Sequence, residues 1–116
     1  MAIVNAQLKT TALDIFDQAS GLGVPVGKSY AVTNILVCNT GTSAAELDMH
    51  LIPAGDYLNN KVTRVVNNLS LPAAETFTFD SERIVLEAGD AIVFVASPDI
   101  GATLTDLAAT ASYLEV

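Results

Sequence analysis

Apolar positions along the chain recur every second residue or in short solid runs, and the helical spacing of i, i+3, i+4 and i+7 is not sustained anywhere for ten residues. Runs rich in Val, Ile, Thr, Phe and Tyr are separated by Gly, Pro, Asn, Asp and Ser, which is strand-and-turn punctuation. Thr10 to Phe16 reads as a first strand, and the glycines and proline between Ala19 and Gly27 as a loop. Tyr30 to Cys38 is the strongest strand and is expected to be central, because it is apolar on both faces. Asn39-Thr40-Gly41-Thr42 follows as a turn.

Alternation is cleanest from Ala45 to Leu51. Leu47, Met49 and Leu51 are expected to face the core, with Glu46, Asp48 and His50 on the wet side. Pro53 to Asn60 reads as a longer loop, Lys61 to Leu69 as a strand, and Leu71 to Ala74 as a turn. Glu75 to Phe79 and Arg83 to Leu86 are short strands, the first with Phe77 and Phe79 on one side at core-type positions. Gly89 in Glu87-Ala88-Gly89-Asp90 suits a tight turn with positive φ. Ala91 to Ala96 is a second buried strand, Ser97 to Ala102 a turn, and Leu104 to Val116 the last strand. The alanines between 102 and 111 leave a short helix open there, and residues 1–9 read either as a strand or as an N-terminal arm reaching to a neighbour. About eight strands on short turns indicate an all-β fold, an antiparallel β-sandwich of the jelly-roll or Ig-like kind, in a single domain spanning 1–116.

Composition then narrows the function classes. Hydrophobic residues form 51% of the 116 residues and mean hydropathy is +0.45, more apolar material than a lone small domain readily hides. No run approaches the roughly 18 apolar residues of a membrane span, and the first residues lack the basic lead and long apolar stretch of a secretory signal. Partner chains covering part of the surface are the economical expectation. Thirteen acidic residues oppose five basic ones, a net −8, and Lys9, Lys28, Lys61, Arg64 and Arg83 are scattered, which argues against nucleic-acid binding. One cysteine, Cys38, excludes an internal disulfide and suits a reducing compartment.

Three stretches in order are Gly27-Lys28-Ser29-Tyr30-Ala31-Val32-Thr33-Asn34-Ile35-Leu36-Val37-Cys38-Asn39, then Ile84-Val85-Leu86-Glu87-Ala88-Gly89-Asp90, then Ala111-Ser112-Tyr113-Leu114-Glu115-Val116. Together they resemble small β-sandwich virion structural proteins of tailed phages, of the cyanophage or marine type, and the resemblance covers most of the chain from Thr10 onward. It implies a non-enzymatic virion subunit made in the host cytoplasm, first as a capsid decoration or cement protein and second as a tail, neck or baseplate component. Its implied partners are other copies, as dimers or trimers, and a major virion protein such as the capsid protein. The loop carrying Tyr57, Leu58, Asn59 and Asn60 is similar to the variable insert of such chains, and with Ile3 and Val4 of the arm it supplies the expected interface.

Candidate chemistry has a duller explanation in each case. Cys38 and His50, expected on neighbouring strands, suggest a thiol and its base, but a cysteine in a doubly apolar strand behaves as a small hydrophobe. His50 with Glu46 and Asp48 is too sparse for a zinc site, and a solvated face is the better explanation. Asp80, Glu82, Glu87 and Asp90 could collect at one end of the fold, yet they lack the ligand spacing of a calcium loop. No catalytic, metal or cofactor site is therefore expected. Glycan binding is the serious rival, with Tyr57 as the ring expected to be exposed and Phe16 left open.

Overall fold

A computed structural model describes residues 2–79 and 84–116 of the chain. The described residues form nine strands and no helix. They are β1 (Ala2–Lys9), β2 (Leu13–Asp14), β3 (Tyr30–Asn39), β4 (Ala45–Ile52), β5 (Arg64–Leu71), β6 (Thr76–Phe79), β7 (Ile84–Leu86), β8 (Ala91–Ser97) and β9 (Leu104–Glu115). Every pairing is antiparallel. One sheet has the order β1-β9-β3-β6 with β7 also on β3, and the other has the order β2-β8-β4-β5.

β6 lies along Ile35–Cys38 and β7 along Tyr30–Val32, on the same side of β3 and in the same direction. They are two segments of one interrupted strand. Counted so, the first sheet joins the first, eighth, third and sixth strands and the second joins the second, seventh, fourth and fifth. That order is the jelly roll, a fold of two Greek keys.

The core lies between the sheets. Ile35, Val37, Leu107, Ala109 and Ala111 face Leu47, Ile92 and Phe94, all essentially inaccessible to solvent. At one end Phe16, Tyr30 and Tyr113 form an aromatic cluster with ring centroids 4.5–5.3 Å apart. Asn39 is buried at the other end, where its Nδ2 donates to the carbonyls of Ser43 and Leu71 and its Oδ1 accepts from Gly41. Those bonds hold the turn out of β3. Asp14 does the same after β2, its carboxylate accepting from the backbone of Phe16, Asp17 and Gly23. That capping ends the expected Thr10–Phe16 strand after Leu13–Asp14.

Residues 2–9 are an edge strand paired with β9 from Ala2↔Tyr113 onward, not a free arm. The alanine-rich segment is also strand, because Thr105, Leu107, Ala109 and Ala111 point inward at every second position. Small side chains fill the narrow space between sheets, and packing overrides helix propensity. Arg83 of the expected Arg83–Leu86 strand lies outside the described residues. Phe94 occupies the core as expected, whereas Phe77 on the short edge strand β6 is 37% exposed. Its ring packs at a tilt against that of the partly buried Phe79, centroids 4.7 Å apart, at the mouth of a mainly apolar cleft of about 330 Å³ between β3 and β5.

Candidate interaction surfaces

The two sheets differ in what covers their outer faces. Along β4 the expected alternation holds, with Leu47 and Met49 inward and Glu46 exposed, but His50 is 0% exposed. It points outward and is then roofed. The chain from Asn59 to Thr63 turns over it, and the imidazole Nδ1 lies 2.9 Å from Thr63 Oγ1. Thr63 Oγ1 donates to the Asn59 carbonyl and accepts from the Asn59 amide, so Nδ1 is assigned as the N–H donor. Burial, with the Arg64 guanidinium nearby, lowers the His50 pKa from its usual value, and Asp48 only partly opposes this. The roof is hooked a second time where the Ala54 amide donates to Asp90 Oδ1 at 2.9 Å. Beneath it Ala91 and Val93, outward on β8, are only 6% exposed.

Tyr57 stands on this roof, 87% exposed, and Leu58, Asn59 and Asn60 are exposed beside it. Asn59 is at the same time the residue that binds Thr63 and shapes the turn. A shallow cleft of about 450 Å³ runs from Tyr57 and Asp56 to Leu22 and Asp14. Burial raises the Asp14 pKa, against the pull of its bonds from Phe16, Gly23 and Asp17.

Other sequence candidates are separated by the fold. Cys38 is on β3 and His50 on β4, in opposite sheets, so the expected neighbouring-strand pair does not exist. Cys38 is half-exposed rather than embedded, because it faces outward between Thr76 and Ala108. Asp48 engages Arg64 at 3.8 Å and accepts from the Asn68 amide, leaving Glu46 as the solvated acid of that row. Glu87 and Asp90 sit in the turn, where the Glu87 amide donates to Asp90 Oδ2, and Asp80 and Glu82 lie outside the described residues. Among the described residues no three His, Cys, Asp or Glu side chains gather as a metal site needs. No helix among them is long and apolar enough to cross a membrane. Ile3 is 68% exposed, but Val4 turns inward against the core, so only one of that pair is available to a partner.

The outer face of the β1-β9-β3-β6 sheet was not anticipated. Strand register aligns Asn5, Thr110, Leu36 and Thr78 in one row across it. Gln7, Ala108, Cys38 and Thr76 form the next row. Ile3 stands beside Ser112, and Thr33 Oγ1 bonds the Ser112 carbonyl, while Val85 and Leu114 flank Ala31. All of these side chains are partly or fully exposed, and none is charged. Within the five strands the charged residues are Lys9, Asp106 and Glu115, all near strand ends. The sequence signal was available as a run of outward positions without Asp, Glu, Lys or Arg. The chain matches no known family and no curated protein. What the molecule offers is thus one capped face and one bare, uncharged face.

Proposed function

We propose that this protein is a non-enzymatic structural subunit of a tailed-phage virion that acts by packing against other protein chains. The observation that carries this reading is the bare outer face of the five-stranded sheet. In a chain of net charge −8, a broad exposed face whose middle carries no charge is suited to burial and poorly suited to staying wet. Its burial against a partner strands no ion in a dry interface. The jelly roll is an architecture found in viral capsid domains, an analogy of fold that agrees with the motif resemblance. Capsid decoration is the first placement: copies at shell symmetry points pack through the uncharged face, and the acidic turns point outward. A tail, neck or baseplate position is the second.

The test is composition and density. Particles purified from cells infected with the encoding phage should contain the chain in a fixed ratio to the major capsid protein, with sandwich-shaped density at shell symmetry points. Density on the tail would select the second placement. Absence of the chain from purified particles would overturn both.

A second reading rests on Tyr57. An exposed ring beside a cleft carrying Asp56 is the arrangement a sugar-binding jelly roll uses, with the ring as stacking platform. Titration with host-surface polysaccharide should give saturable binding that Tyr57→Ala abolishes if this reading holds. No binding at millimolar sugar removes it.

A further inference from the structure

We propose that two copies of the chain stack face to face through the outer surfaces of their β1-β9-β3-β6 sheets, about a two-fold axis near Thr110 and Leu36. This deepens the assembly reading by naming a second copy as the first partner, and it fails or stands separately from the particle placement.

The argument for an identical partner is chemical. Thr110, Thr78, Ser112 and Asn5 each carry a group that both donates and accepts hydrogen bonds. Two such faces can therefore both donate to and accept from each other across a two-fold axis. A charged face would meet its own sign across a two-fold axis and be repelled. Here Lys9 and Asp106 stand at one end of the sheet and Glu115 at the other, so the middle can close without trapping charge. Small outward side chains at Ala108 and Thr110 permit the spacing of about 10 Å at which sheets stack.

Area sets the strength. Four strands abreast at about 4.8 Å, each averaging about nine residues of about 3.3 Å, present roughly 600 Å² per copy. With the charged strand ends counted, a pair buries at most roughly 1,200 Å², the bottom of the range for specific complexes. A weak dimer follows, suited to a subunit that meets its copies at high local concentration.

Sedimentation equilibrium of the intact chain from ~10 μM to ~1 mM tests this, that span bracketing weak affinities. The mean mass should rise from 12.1 kDa toward twice that value. The double variant Leu36→Glu, Thr110→Glu should remain at the monomer mass, while Ser70→Glu on the other sheet should dimerise as the parent does. Circular dichroism establishes that each variant is folded. On the parent, alkylation of half-exposed Cys38 should slow as the dimer fills, a readout that needs no variant. A monomer at every concentration, a dimer that survives the double variant, or Cys38 alkylation independent of concentration would each overturn the stacked pair. A monomer that still joins particles overturns only this inference, and a face-dependent dimer absent from particles overturns only the virion placement.

Discussion

Val93 and Thr110 occupy equivalent places: each points outward from an inner strand, one per sheet. Val93 is 6% exposed, with the 53–63 segment and the loop carrying Leu22 both beside it, whereas Thr110 has no comparable lid among the described residues and remains partly exposed. Outward residues on a sheet are thus not one class. Beneath the roof they act as a second, smaller core, and on the bare face they contribute to stability only when another chain arrives.

The most damaging test of this contrast is His50→Ala. It removes a fully buried ring and one of the two donors to Thr63 Oγ1, which keeps its bonds to Asn59, so the loss is chiefly that of a cavity with one hydrogen bond gone. About 2–4 kcal/mol of unfolding free energy should go, read by urea denaturation. A loss under about 0.5 kcal/mol, the size of an ordinary surface change, would mean the roof does not close.

Gly89 tests the other hook. Its φ is +86°, and a Cβ there would lie 2.8 Å from the Cβ of Ala54 at the start of the roof. Gly89→Ala should therefore cost about 1–3 kcal/mol from backbone strain and displacement of Ala54. Faster amide exchange across residues 54–63 than in β3 would show that the loss is local to the roof.

The same comparison explains what was legible. Alternation assigns the side of a sheet on which a residue lies, and it placed Leu47, Met49 and Glu46 correctly. It says nothing about whether a later loop returns to cover that side, so His50 was read as wet. β1 was ambiguous because its inward set is Val4, Ala6 and Leu8, in which a small alanine weakens the apolar signal. β3 and β8 were plain from their long apolar runs, and both are inner strands. Each strand shows outward positions without charge in the sequence, but that they form one broad face follows only from the register that aligns Asn5, Thr110, Leu36 and Thr78, residues distant in sequence.

Acidification sharpens the roof without a mutation. The His50 pKa is lower folded than unfolded, so below about pH 6.5 the unfolded chain takes up a proton that the folded chain resists. Stability is full above that pH and falls as the pH drops, by no more than about 1.4 kcal/mol per unit from this one group. Burial shifts Asp14 the other way, so its ionisation opposes folding as pH rises above about 3.8. Denaturation midpoints of parent and His50→Gln between pH 7 and 5 should isolate the histidine: the parent's extra slope should vanish in the variant.

The smallest effect belongs to the bare face. Thr110→Ala removes a hydroxyl and a methyl that stay partly exposed, at a position flanked by Asn5 and Leu36. In dilute solution the change should stay within about 0.5 kcal/mol, since nothing buried is left unsatisfied and no cavity forms. Alanine's poorer fit to a strand contributes part of even that. A loss above about 1.5 kcal/mol at monomer concentrations would show that Thr110 is already covered by its own chain. The distinction between a roofed and a bare face would then collapse, and with it the reason for seeking a partner on that side.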